Sequence, residues 1–230
     1  MKVVLLHALP LDERMWDPQR EALSGFDVVA PRLYGRGNSI DAWADALLGE
    51  LEGELVVAGA SMGGYAALAM ARKAPDRVLG ILLAGSRPDA DSPDRREGRA
   101  KTIETIRSAG AEGLWEEMRP KLFPDEAPEE AVERARALAL EQEPDELVAA
   151  VEAIRDRPDS TDLAQKYGDR VLFVVGEHDP FVSVAEARTF STAATAEFLG
   201  TGHLPSMERP AQFSHVLKDF VSRWTSSSTS

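Results

Sequence analysis

Ser61 lies in the run Leu55-Val56-Val57-Ala58-Gly59-Ala60-Ser61-Met62-Gly63-Gly64-Tyr65, a short apolar stretch that enters a Gly-x-Ser-x-Gly turn and leaves into an Ala-rich helical pattern. This is the pattern of a nucleophile elbow, in which a serine sits on a sharp strand-to-helix turn and its small neighbours let the backbone fold tightly around it. Its hydroxyl would stand above the sheet, where the helix N-terminus favours developing negative charge. A serine hydroxyl is a weak nucleophile at neutral pH, so the elbow predicts a base, an acid to orient that base, and donors for an oxyanion. Gly176-Glu177-His178-Asp179-Pro180 follows one apolar run, and Gly200-Thr201-Gly202-His203-Leu204-Pro205 follows the next. Asp179 and His203 are therefore expected on loops at the carboxyl edge of a sheet, the same edge as Ser61. Glu177 and Asp89 are reserve acids; His178, His215 and His7 are expected to be a solvent-side neighbour, a helix-surface residue and a loop support.

The elements that would position these residues alternate along the chain. Strands are predicted over Lys2 to His7, Phe26 to Ala30, Glu54 to Ala58, Arg77 to Ala84, Arg170 to Val175 and Ala196 to Leu199. Between them helices are predicted over Glu13 to Ser24, Ile40 to Glu50, Ser61 to Lys73, Val184 to Thr192 and Ala211 to Trp224. Continuous Val, Leu and Ile runs, without period-two alternation, argue for a mostly parallel sheet of about six strands covered by helices on both faces. From Arg87 to Asp159 no strand is evident, and Pro-punctuated, charge-rich helices are expected around Arg95 to Ala109, Gly113 to Met118, Glu129 to Glu141 and Asp145 to Arg155. The division that follows is a core of residues 1–86 and 160–224, a helical cap of residues 87–159, and a disordered tail of residues 225–230. Trp115, Met118, Leu122 and Phe123, with Leu114, are candidate pocket residues in the cap, although helical spacing alone also suits a core.

Composition narrows the chemistry. The chain has 230 residues, 43% of them hydrophobic, enough for one domain with an insertion, and its formal net charge of −13 argues against nucleic-acid or anionic-membrane partners. Zero Cys excludes disulfides and thiolate chemistry, and four scattered His show no metal-ligand spacing, so neither cofactor nor metal is expected. The first apolar run, Val3-Val4-Leu5-Leu6, is shorter than a signal-peptide core, which predicts a cytoplasmic protein. Acidic residues outnumber basic ones from Arg87 to Asp159 by 20 to 12, a mild argument against highly anionic substrates. A small-molecule substrate and a monomer or homodimer are expected.

With the order Ser61, Asp179, His203, the chain resembles the α/β-hydrolase-fold serine hydrolases along nearly its whole length. His7-Ala8-Leu9-Pro10 is similar to the family's His-Gly loop after the first core strand, with Ala8 in place of the usual Gly. The resemblance implies that the backbone N–H groups of Leu9 and Met62 form the oxyanion hole. Tyr34-Gly35-Arg36-Gly37-Asn38-Ser39 resembles a Gly-x-Gly-x-Ser loop of the family, although Arg32 stands where Asp is usual. His7 to Asp12 with Met15-Trp16-Asp17-Pro18-Gln19 is similar to the start of 3-oxoadipate enol-lactonases and related small carboxylesterases. What the resemblance implies is a carboxylesterase-like serine hydrolase working through an acyl-enzyme. Lactonase, thioesterase, perhydrolase and carbon-carbon bond hydrolysis use the same constellation, and a slow-turnover ligand receptor is an alternative of another class. Ser61 disfavours the members with an Asp nucleophile, and the lack of Lys near His203 disfavours hydroxynitrile lyases.

Overall fold

The computed structural model describes residues 1–190 and 194–225. Six parallel strands form one sheet: β1 (Lys2–Leu6), β2 (Val28–Val29), β3 (Leu55–Ala60), β4 (Val78–Ala84), β5 (Val171–Gly176) and β6 (Ala194–Phe198), in the order β2-β1-β3-β4-β5-β6. The chain runs outward from β1 to β2 and then returns to the other side of β1 with β3. The order thus reverses between β1 and β3, and open parallel sheets place their ligands in the crevice beyond the strand carboxyl ends at such a reversal. Leu6, the last residue of β1, pairs with Gly59 two residues before Ser61. The loops after β1 and β3 therefore leave the sheet side by side.

Helices α1 (Asp17–Ala22), α2 (Ile40–Glu50) and α3 (Met62–Lys73) fill the first half, and α3 lies against the sheet with its residues from Met62 to Ala71 all buried. Its small side chains allow a close approach. A Cβ on Gly59 would fall 2.3 Å from the Gly63 carbonyl, and one on Gly63 would fall 2.1 Å from the Leu6 carbonyl oxygen. The turn into α3 is therefore closed to any side chain at these positions.

Between β4 and β5 come α4 (Pro93–Leu122), α5 (Glu129–Leu140), α6 (Pro144–Arg155) and α7 (Thr161–Tyr167); α8 (Val184–Phe190), α9 (Pro205–Glu208) and α10 (Pro210–Ser222) complete the chain. α4 is two helices meeting at Gly110, whose φ of 64° and ψ of −154° are not helical. That break falls between the two helices expected from the sequence. α7 was not expected: it is one short turn pair whose Ala164 and Tyr167 are buried, too few positions to set a period. The expected helix from Glu13 to Ser24 is a 3-10 turn over Glu13–Trp16 followed by α1, because Asp12 accepts from Arg14 N–H and Pro18 starts the α-helical part. β2 is only two residues long, since the segment pairs with β1 alone at the sheet edge. The end of the expected helix at Thr192 and the Ser/Thr tail beyond Thr225 lie outside the described residues. Among the described residues no helix is long and apolar enough to cross a membrane.

Gly63→Ala is expected to lower stability by about 1–3 kcal/mol through overpacking against β1. Gly49→Ala, in α2 with nothing within 4 Å of the added methyl, should gain roughly 0.5–1 kcal/mol from helix propensity. Urea unfolding midpoints of the two variants check both signs, and a neutral Gly63→Ala would show that the contact relaxes.

Candidate active site

Ser61 joins β3 to α3 with φ 48° and ψ −109°, and it is the one non-glycine residue with positive φ among the described residues. Such a conformation costs on the order of 1–3 kcal/mol and persists only when its surroundings fix it. Three hydrogen bonds do so: Ser61 N–H donates to the Ala84 carbonyl at 2.8 Å, and the Ser61 carbonyl accepts from Gly64 N–H at 3.0 Å and from Ser86 Oγ at 2.8 Å. Ser61 Oγ itself has no hydrogen-bond partner among the described residues, and the residue is half-buried.

Asp179 and His203 stand on the loops after β5 and β6. His178 N–H donates to the Thr201 carbonyl at 2.9 Å, which ties the two loops together. Asp179 Oδ1 accepts from the N–H groups of Phe181 (2.8 Å) and Val182 (3.3 Å), leaving Oδ2 to accept from His203 Nδ1 at 2.8 Å. Both side chains are buried. Because the carboxylate can only accept, the His203 proton is assigned to Nδ1, and Nε2 keeps its lone pair.

The His203 ring lies between Gly85 and Phe181. A Cβ on Gly85, which has φ 57°, would come within 2.8 Å of ring atoms Cε1 and Nδ1, and the Phe181 ring is centred 4.5 Å from the imidazole. His203 N–H donates to the Leu122 carbonyl at 2.9 Å, and Gly202 N–H donates to both Glu208 carboxylate oxygens at 3.0 Å. Burial pushes the Glu208 carboxyl above its usual value, against the lowering effect of those backbone bonds.

The loop after β1 is held by His7, which is fully buried. Its Nε2 accepts from Leu33 N–H at 2.9 Å, which assigns the ring proton to Nδ1, 3.2 Å from the Ala8 carbonyl. Burial lowers the His7 pKa to about 4, only partly offset by the bond to Ala8. Ala8 N–H reaches Met15 Sδ at 3.3 Å, and Leu11 N–H closes a turn onto the Ala8 carbonyl. The backbone N–H groups of Leu9 and Met62 find no acceptor among the described residues.

Leu9, Ser61 and Phe181 meet in a cavity of about 20 Å³, together with Tyr65, Arg99, Met118 and Ile154. Of the five residues singled out as candidate pocket residues in the sequence, Met118 alone reaches this wall. Trp115 and Phe123 pack on each other with centroids 6.5 Å apart, and Leu122 is fully buried, contributing its carbonyl to His203 and leaving its side chain in the core. Helical spacing alone could not separate the two roles. Sequence reasoning missed Phe181, Tyr65, Arg99 and Ile154, whose types carry no motif; Phe181 stood two residues after Asp179, which was the available signal. The reserve acids are engaged elsewhere: Glu177 accepts from Gly200 N–H, and Asp89 is paired with Arg87 and Arg95. His178 is exposed beside Glu177, and His215 is exposed beside Asp219 on α10.

The helices after β4 are pinned to the core around this site. Gln142 Nε2 donates to Asp12 Oδ2 at 2.9 Å, Arg14 pairs with Glu141 at 2.5 Å, and Arg32 pairs with Glu146 at 2.7 Å.

A six-stranded parallel sheet with a strained serine at its central strand-to-helix turn defines an α/β hydrolase. A model of the alpha/beta hydrolase family matches residues 3–216, and the chain belongs to that family. A thermophilic esterase from Thermogutta terrifontis, solved with malate bound, is 34% identical and superposes with a TM-score of 0.89 over 97% of this chain and 90% of its own. The enol-lactonase from Burkholderia xenovorans LB400 shares the fold at a TM-score of 0.84 and 24% identity, over 96% of this chain and 91% of its own. A pimeloyl-[acyl-carrier protein] methyl ester esterase from Aromatoleum aromaticum is 40% identical over 93 residues, which is 37% of this chain and only 37% of the relative. A protein of the same name from Neisseria meningitidis serogroup B is 26% identical over 96% of this chain and 92% of the relative.

Between pH 6.5 and 4 the unfolded chain takes up a proton at its His7 that the folded protein refuses, since the folded pKa is about 4 against an unfolded value of about 6.5. Stability therefore rises with pH across that window, and acidification through it removes up to about 3 kcal/mol. Urea unfolding at a series of pH values should show His7→Gln with a flatter slope than the wild type over this range. Parallel curves would mean that His7 titrates normally.

Proposed function

We propose that this protein is a serine esterase that cleaves carboxylic esters through an acyl-enzyme, with Ser61 as nucleophile, His203 as general base and acid, and Asp179 as the orienting carboxylate. The observation that carries this reading is the buried 2.8 Å bond from His203 Nδ1 to Asp179 Oδ2, which leaves Nε2 as the proton acceptor on the sheet edge where Ser61 is held in strain. The relatives named as methyl ester esterases support an ester as the bond that is cut, as does the Thermogutta esterase.

In this mechanism Ser61 Oγ attacks the ester carbonyl carbon as its proton passes to His203 Nε2. Asp179 stabilises the imidazolium without taking its proton. The negative charge collects on the former carbonyl oxygen, and the uncommitted N–H groups of Leu9 and Met62 are its donors, worth about 3–4 kcal/mol each in a comparable hydrolase. Their N–H groups need no reorganisation, because no acceptor among the described residues competes for them. The imidazolium returns its proton to the departing alkoxide, the alcohol leaves, and water deprotonated by His203 then releases the acid. Residues 87–159 serve as the cap over a core of residues 1–86 and 160–224, with Met118 as the cap residue that touches the acyl site.

Steady-state hydrolysis of p-nitrophenyl esters from acetyl to dodecanoyl is expected to show turnover that vanishes in Ser61→Ala, with the unfolding midpoint retained or raised as the strained position loses nothing it needs for folding. Full activity in purified Ser61→Ala would sink the assignment. Asp179→Asn should reduce kcat by roughly 10³–10⁴, since the amide favours the wrong imidazole tautomer; a loss below about tenfold would move the orienting role to another residue.

A further inference from the structure

The acidic excess of the chain is not shared by the wall of its active site. Arg99, on α4, lines the cavity that holds Ser61 and also a neighbouring cavity of about 390 Å³ whose wall includes Arg95, Lys101, which pairs with Glu97, and Lys121, which pairs with the wall residue Glu117. Met118 and Phe181 belong to both cavities as well. A ligand reaching from the larger space towards Ser61 therefore passes the Arg99 side chain.

Arg99 is anchored by one nitrogen only. Its Nε donates to Asp91 Oδ2 at 3.1 Å, its side chain is 18% exposed, and Nη1 and Nη2 have no hydrogen-bond partner among the described residues. Asp91 is wholly buried and is shared by three guanidinium groups: Arg99, Arg157 (Nη1 to Oδ1, 2.7 Å) and Arg95 (Nε at 3.2 Å). One carboxylate cannot neutralise three cations; the second acid nearby, Asp89, is itself shared by Arg95 and Arg87, and Arg87 also pairs with Glu186, so four guanidinium groups face three carboxylates. The cluster thus keeps a positive excess. It is also rigid, since Arg157 lies 4.1 Å over the ring of Tyr65, another wall of the Ser61 cavity, and Arg87 Nη1 holds the Phe181 carbonyl at 2.9 Å.

A half-buried guanidinium with both terminal nitrogens unpaired is poised for an acceptor, and the Nη1/Nη2 edge matches a carboxylate in a two-pronged hydrogen bond. We infer that Arg99 binds a carboxylate carried by the substrate, so that the site takes esters bearing a negative charge in preference to neutral ones. This rests on the hydrolase reading of Ser61 and names its substrate class. The excess of acidic residues from Arg87 to Asp159 argues the other way, but a count does not register that Arg87, Arg95, Arg99 and Arg157 converge beside the site, while the bulk net charge acts from a screened distance.

The test compares ester pairs of matched carbon skeleton: mono-4-nitrophenyl glutarate against 4-nitrophenyl pentanoate for charge on the acyl side, and 4-acetoxybenzoate against its methyl ester for charge on the alcohol side. At low ionic strength the wild type should favour the anionic member of at least one pair by about tenfold or more in kcat/KM, as one charge-assisted bond provides. That ratio should fall towards one in Arg99→Gln and be partly kept in Arg99→Lys. A merely structural role for Arg99 would depress both members of a pair alike and leave the ratio in place, which would overturn the inference. So would a wild type that treats both pairs evenly, a result that needs no variant to fold. Turnover of the neutral esters without any preference for charge would leave the hydrolase reading standing and remove this one, whereas no turnover of any ester would remove both.

Discussion

A residue with a Cβ at φ 48° has nowhere to relax only if the backbone around it is already committed, and at Ser61 three strands make that commitment. β3 delivers the residue, β4 receives its N–H through Ala84, and the end of β1 stands against Gly63 so closely that no methyl group fits. Because the turn is fixed by its neighbours, those neighbours are fixed by the turn. The loop after β1, which carries Leu9, leaves the sheet beside the serine, and Gly85 at the end of β4 gives the imidazole of His203 its bed. The sheet reversal between β1 and β3 is what brings these loops to one crevice.

Two buried ionisable side chains keep this edge in register without being needed as reactants. His7 ties the loop after β1 to Leu33, and Glu208 grips the Gly202 amide beside His203. Both sit where water cannot compete, so burial disfavours their charged forms. Such side-chain-to-backbone bonds suit loops that carry chemistry, because they satisfy amides that no strand partner reaches. Active-site order here is a matter of backbone amides assigned to particular acceptors, with the amides of Leu9 and Met62 left over.

Much of this was legible in the sequence. The parallel sheet followed from uninterrupted apolar runs, and the break in α4 from the gap around Gly110. Gly-x-Ser-x-Gly, a Gly-x-x-Asp turn and Gly-x-Gly-His each followed a strand, which placed Ser61, Asp179 and His203 on one edge before any geometry was known. Local patterns failed where the determinant was distant in sequence. Trp115, Leu122 and Phe123 have the same helical spacing and apolar character as Met118, and only the packing of α4 on the loop of His203 decides which of them meets Ser61. A count of charges over a segment likewise has no direction, whereas Asp91 gathers arginines that lie four, eight and 66 residues away into one cluster. The short β2 takes its form from pairing at the sheet edge, and α7 from packing on α3 and α8, neither of which a local period encodes.

The bond from His203 N–H to the Leu122 carbonyl, with Gly202 pressed against Phe123 and Pro124, divides the inserted helices into parts with unequal freedom to diverge. α6 and the turn that joins it to α5 touch the core through side chains such as Glu141, Gln142 and Glu146, which can be exchanged in compensating pairs. The end of α4 touches it through backbone, at the histidine itself. A change in α6 or in that turn can therefore be offset across its side-chain pair, but a change in the stretch from Met118 to Pro124 shifts the backbone that holds His203, and a graft of foreign helices onto this core has its natural seam after that stretch.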